Sequence, residues 1–230
     1  MSSGASVNPD HAHRIMIGVL GGTFDPIHFG HLRPALDCLQ ALALEQVRFI
    51  PLNVAVHRPQ PLAPSTQRLA MLEAAIADQP GFVADPRELA RPGGSYTYDT
   101  LLSLRTELGA ERPLCLLIGA DAFAGFLAWY RPLEILDLAH LVVMRRPGHG
   151  SIRDPLLRNL YLERGSDAPA SLSARPAGHI LFQDVTQIEM SSTRVRQLIG
   201  RGLSPRYLTP DPVLALIEQA GLYRSQKTQR

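Results

Sequence analysis

Residues 14–32 read RIMIGVLGGTFDPIHFGHL, and the rest of the chain is interpreted outward from this stretch. Arg14–Leu20 is a short apolar run rich in β-branched residues and closed by Gly21 and Gly22, the pattern of a strand buried on both faces. Apolar residues then recur at Leu32, Ala35, Leu36, Leu39, Leu42 and Ala43, which predicts a helix over His28–Leu44. A buried strand, a glycine turn and an amphipathic helix form the first half of a βαβ unit.

The remainder repeats the alternation. Further strands are predicted over Gln46–Leu52, Gly81–Ala84, Leu114–Ile118, His140–Met144 and Ile180–Val185. Helices are predicted from Ser65, as its cap, to about Asp78, and over Tyr98–Leu108, Arg131–Leu138, Ser191–Arg201 and Asp211–Ala220. Residues 145–178 are loop-rich, with an inserted helix over Asp154–Arg164. Strands separated by helices imply right-handed crossovers and a doubly wound parallel sheet. In such a sheet ligands bind outside the carboxyl ends of the strands, which directs attention to the loops after Leu20, Leu52, Ile118 and Val185.

Composition narrows the chemistry. The 230 residues are 45% hydrophobic and 19% charged, with 23 basic against 21 acidic side chains. A net charge of +2 gives no reason to expect a nucleic-acid or membrane surface. Lys227 is the sole lysine, so neither a Walker A loop nor a lysine nucleophile is expected. Cys38 and Cys115 lie far apart in apolar runs, which argues against a disulfide framework or a zinc site. Residues 1–13 read as a disordered leader without the apolar core of a signal peptide, residues 14–224 as a single domain, and 225–230 as a tail. The expected location is the cytoplasm. No protein-held metal is predicted, and a homo-oligomer is compatible with the sequence.

The loop after the first strand carries the chemistry. Gly21, Gly22, Thr23 and Phe24 lead to His28, Gly30 and His31, with the two histidines on one face at the start of a helix. The amide groups and macrodipole at that end favour phosphate, and Gly30 leaves room for a sugar or base. The spacing is not the G-x-G-x-x-G of dinucleotide oxidoreductases. Near the other end, Ser191, Ser192 and Thr193 offer hydroxyl and N–H groups at a second helix start, with Arg196 one turn in.

GGTFDPIHFGHL resembles the (H/T)-x-G-H motif of the nucleotidyltransferase superfamily, and in its full wording the family of bacterial nicotinate-nucleotide adenylyltransferases. Met190–Arg196 resembles the I-S-S-T-x-x-R element of the same family, with Met190 in place of isoleucine. The resemblance runs from about Arg14 to Arg224, more loosely over 147–178. It implies a Rossmann-like nucleotidyltransferase fold with a small helical part at about 190–224. It also implies transfer of AMP from ATP to nicotinate mononucleotide, with release of pyrophosphate and with Mg²⁺ held mainly by the nucleotide.

On that resemblance His28, His31 and Arg196 are the catalytic candidates. Gly21, Gly22, Thr23, Phe24, Gly30, Asp121, Ser191, Ser192 and Thr193 join them around ATP, Asp121 meeting ribose hydroxyls. Asn53, His57 and Arg58 would help hold phosphate, while Thr97, Trp129 and Tyr130 surround the pyridine ring. His140, Arg145 and Arg146 are weaker phosphate candidates. With no arginine evident beside Thr97 or Trp129, selection of a nicotinate carboxylate falls to backbone N–H groups near Thr97 and Tyr130. The competing expectations are another acceptor on the same fold (nicotinamide mononucleotide, pantetheine phosphate or a cytidylyl acceptor) and a non-catalytic nucleotide-binding domain.

Overall fold

The structure is a computed structural model that describes residues 14–56, 59–147 and 152–224. Seven strands form one sheet: β1 (Ile17–Gly22), β2 (Gln46–Pro51), β3 (Phe82–Ala84), β4 (Leu114–Gly119), β5 (His140–Arg145), β6 (Gly165–Ser166) and β7 (Ile180–Asp184). Their order is β3-β2-β1-β4-β5-β7-β6, and all six pairings are parallel. The order reverses between β1 and β4, so the crevice of the doubly wound fold opens above those two strands.

The helices are α1 (Phe29–Ala41), α2 (Ser65–Ile76), α3 (Thr97–Leu108), α4 (Ala120–Ala124), α5 (Pro132–Leu138), α6 (Pro155–Arg164), α7 (Ala170–Ser173), α8 (Ser192–Gly200) and α9 (Asp211–Gln219). They cover both faces of the sheet, and the strands alternate accordingly. Ile17 and Val19 of β1 join Leu101 and Leu104 of α3 and Ile135 of α5 on one face. Leu20 joins Ala35 and Cys38 of α1, Met71 and Leu72 of α2 and Val213 and Ile217 of α9 on the other. Gly18 has no side chain because Leu44 and Val47 already fill the position, at 2.9 and 3.1 Å from where its Cβ would stand.

The predicted elements recur within a residue or three at most boundaries. Ser65 is not the cap of α2: Pro64 takes the N-cap position and Ser65 is the first helical residue. Asp154 does cap α6, its carboxylate accepting from the N–H groups of Leu156 and Leu157. The expectation of loop over most of 145–178 missed β6 and α7, which are two and four residues long and too short to show a period. α9 is part of the main core through Val213 and Ile217. Among the described residues no helix is long and apolar enough to cross a membrane.

Candidate active site

The loop from Thr23 to His28 sits at the carboxyl edge of β1 and is tied down carbonyl by carbonyl. Arg68 Nη1 donates to Thr23 O at 2.8 Å, Arg196 Nη1 to Asp25 O at 2.6 Å, Ser192 Oγ to Pro26 O at 3.0 Å and Thr209 Oγ1 to Ile27 O at 2.7 Å. The Asp25 carboxylate, 3% exposed, accepts the N–H groups of Leu62 and Ala63 and the hydroxyl of Tyr223. Burial, with the Asp25 carboxylate beside it, pushes the Tyr223 hydroxyl well above the usual phenol range, so it remains a donor. A backbone held at so many points is preorganised before any ligand arrives.

The two glycines that close β1 differ in use. A Cβ on Gly21 would meet nothing within 4 Å, and the same is true of Gly119 at the end of β4. Those two positions leave open space above adjacent strands. Gly22 instead makes room for Phe24, whose ring lies 2.7 Å from where a Cβ would stand. Phe24 is buried, edge-on to His31 at 5.2 Å, so its ring is packing rather than a ligand surface.

His28 and His31 stack at 3.8 Å between centroids. The His28 N–H donates to His31 Nδ1 at 3.3 Å, which leaves the proton on Nε2 of His31. His28 Nδ1 is buried with no hydrogen-bond partner among the described residues. Burial lowers the His28 pKa to about 4. Burial, reinforced by His28, also holds His31 well below its ordinary value. Both imidazoles are therefore neutral at pH 7, each with one N–H to offer. Above Gly30 lies Met190: the Gly30 N–H donates to Met190 Sδ at 2.9 Å, so the space expected there is shared with a flexible thioether.

At α8, Ser191 is the N-cap, its Oγ accepting the Arg194 N–H at 3.2 Å. Arg196 Nη2 donates to Thr193 Oγ1 at 3.3 Å, and Arg196 Nη1 lies 3.8 Å from Asp25 Oδ2. The hydroxyls expected to meet phosphate thus also hold the helix end and the β1–α1 loop.

A cavity of about 550 Å³ adjoins this cluster across Gly21 and Gly22. Thr97, Trp129 and Tyr130 line it, together with Glu88, Ser95 and Tyr96. Thr97 opens α3, and no side chain caps that helix. Trp129 packs one edge on Phe126 at 5.7 Å, and Tyr130 meets Tyr96 at 4.8 Å. Glu88 carried no signal in the sequence. It is buried, accepts the Thr100 hydroxyl at 2.6 Å, and burial raises its pKa. Beside this cavity, but not among its lining residues, the Arg131 guanidinium lies 4.2 Å over the Tyr98 ring, with its charge paired to Glu134.

Asn53 is committed to structure: its N–H donates to Ser95 Oγ and its Nδ2 to Arg91 O. His57 and Arg58 lie outside the described residues. Asp121 is exposed in the first turn of α4, at the open end of β4, and does not cap that helix. His140 heads β5 at the opposite edge of the sheet, so it cannot reach this site. Arg145 pairs with Asp184 at 2.7 Å. Asp25, Arg68, Thr209 and Tyr223 were missed, although an acid directly before proline inside the quoted loop was a signal available for Asp25.

Residues 19–198 match the model of the cytidylyltransferase-like family. A protein of Methylococcus capsulatus named "Probable nicotinate-nucleotide adenylyltransferase" is 47% identical, over 90% of this chain and 99% of its own. One of the same name from Cellvibrio japonicus is 46% identical, over 92% and 100%. Among solved structures, the Plasmodium falciparum nicotinic acid mononucleotide adenylyltransferase complexed with NaAD superposes with a TM-score of 0.68 at 13% identity, covering 91% of this chain and 97% of that one. Its likeness is one of fold.

Proposed function

The chain belongs to the cytidylyltransferase-like family and within it is a nicotinate-nucleotide adenylyltransferase, and from that premise we propose how its residues divide the work. The reaction adenylylates nicotinate mononucleotide to nicotinic acid adenine dinucleotide in NAD biosynthesis. An oxygen of the mononucleotide's 5′-phosphate forms a bond to the α-phosphorus of ATP as the bond to the β-phosphate bridging oxygen breaks. Pyrophosphate carries away the electron pair. No protein nucleophile is needed, and burial pushes both Cys38 and Cys115 thiols up to about 12, so no thiolate competes.

Catalysis then consists of placing the two phosphates in line and stabilising the charge that spreads over them. His28 and His31, neutral and stacked, donate N–H groups to the α- and β-phosphates. Arg196 and the first N–H groups of α8 receive the leaving pyrophosphate. Gly21 and Gly119 let the nucleotide lie against the strand ends, and Asp121 meets the ribose. A nucleotidyltransferase typically uses Mg²⁺, which supplies neutralising charge when bound. On this reading the ion is carried mainly by the phosphate oxygens of ATP and by water.

The cavity bounded by Thr97, Trp129 and Tyr130 takes the pyridine ring. The observation that supports this reading most is its position, across Gly21 and Gly22 from the histidine pair. The uncapped start of α3 offers backbone N–H groups to the nicotinate carboxylate, whereas an amide would leave a donor unpaired, at about 1–3 kcal/mol per buried group. Comparing kcat/KM for nicotinate and nicotinamide mononucleotides by pyrophosphate release tests this. The acid should lead by at least about ten-fold, and Trp129→Ala should weaken both acceptors without changing their ratio. Equal wild-type values would remove the acid-specific reading.

A further inference from the structure

Asp25 is the hinge of the site. Its carboxylate is almost fully buried, and a charge in that position needs partners on every side. Oδ2 takes the Leu62 N–H at 2.8 Å, and Oδ1 takes the Ala63 N–H at 3.1 Å and the Tyr223 hydroxyl at 2.6 Å. The Arg196 guanidinium stands off at 3.8 Å from Oδ2 while donating to the Asp25 carbonyl. Tyr223 comes from the turn after α9, where a left-handed backbone (φ 63°) turns the ring inward, partly buried against the core.

We propose that Tyr223 is a positioning residue for ATP: its hydroxyl satisfies the Asp25 carboxylate, so that Arg196 is not drawn into a close ion pair with it and remains aimed at the phosphates. The C-terminal turn is thereby part of the nucleotide site. Without the hydroxyl, Oδ1 loses its shortest bond. Two arginines face this carboxylate: Arg68, held by the carbonyls of Thr23, Leu52 and Ala63, and Arg196, 3.8 Å from Oδ2, whose movement toward the carboxylate moves it away from pyrophosphate. The proposal rests on the assignment of Arg196 to the phosphates.

Tyr223→Phe tests it, since the phenyl ring keeps its packing and only the donor is lost. Calorimetric binding of a non-hydrolysable ATP analogue should weaken about ten-fold, or about 1.4 kcal/mol. The KM for ATP should rise in parallel, while the KM for nicotinate mononucleotide stays within about two-fold. In an Asp25→Asn background the same change should add little, because the hydroxyl acts through the carboxylate. Unchanged analogue affinity in Tyr223→Phe, or a full additive loss on top of Asp25→Asn, would overturn the proposal, whatever happens to the melting temperature. Pyrophosphate release by the wild type with nicotinate mononucleotide checks the function separately, and the analogue's affinity does not depend on that result. Weaker analogue binding by Arg196→Lys would independently support the assignment on which the proposal rests, and unchanged binding there would remove it.

Discussion

The two ends of the sheet use the same devices and leave them in different states of completion. At the amino end, Arg105 donates to the carbonyls of Leu138, Arg112 and Pro176 at 2.5–2.8 Å. There His140 is fully buried beside His179. Its Nε2 meets Arg175 O at 3.0 Å and its Nδ1 accepts the His179 N–H at 3.1 Å. At the carboxyl end, Arg68 likewise grips carbonyls, those of Thr23, Leu52 and Ala63, and His28 is stacked on His31. Yet His28 Nδ1 has no partner among the described residues, and Gly21 and Gly119 face open space. Buried polar atoms are nearly always paired in a structural joint. On the proposed function, the carboxyl end, with its open glycines, is the end that performs the chemistry.

The sharpest way to break this comparison is to remove one histidine from each end. His28→Ala should lower kcat by roughly 10²–10³, the cost of one preorganised donor, in a protein that still folds. His140→Ala should leave kcat near normal but lower the melting temperature, because Arg175 O and the His179 N–H lose their partner at about 1–3 kcal/mol each. Paired activity and thermal-melt measurements on the two variants decide it. Near-normal turnover in His28→Ala would undo the functional side of the contrast.

Acid should reach both ends together. Burial lowers His28 and His140 to about 4. The unfolded chain takes up these protons near pH 6.5, before the folded one does, so stability falls as pH drops from about 6.5 toward 4. The loss reaches of the order of 3 kcal/mol per histidine. Melting temperature measured against pH should show this slope, and His140→Gln should flatten it. A profile level from pH 7 to pH 4.5 would mean that neither imidazole is held neutral by the fold.

The smallest effect separates the arginines. Arg105→Met and Arg68→Met should each lower stability, by about 1–3 kcal/mol for each buried carbonyl left without a donor. Only Arg68→Met should also raise the KM for ATP, because Thr23 lies in the β1–α1 loop. Denaturant melts alongside steady-state kinetics check both halves, and equal kinetic damage from Arg105→Met would merge the two ends into one.

Much of this architecture is written locally. The β-branched run ending at Gly21 and Gly22, and the helical period that begins near His28, are patterns of neighbours in the chain, and they specify β1, α1 and the placement of the two histidines. The Ser191-Ser192-Thr193 start of α8 is legible for the same reason, since capping is decided within one turn. Even Asp154 at α6 could be read, as a short polar side chain directly before Pro155.

Other assignments depended on distance along the chain rather than on pattern. Tyr223 is 198 residues from Asp25, Arg68 is 45 from Thr23, and Met190 is 160 from Gly30. No periodicity links such pairs, because their contact arises only when α2, α8 and the turn after α9 pack around the open end of the sheet. Ser192 and Arg196 show the division most clearly. Their sequence context marks them as a helix start suited to phosphate, but only the packed structure shows them also bonded to the carbonyls of Pro26 and Asp25. The sequence by itself determined which elements form and which loop carries the histidines. The tertiary structure decided which buried charges are neutralised and which polar atoms stay unpaired, since both depend on what long-range packing brings within about 3 Å.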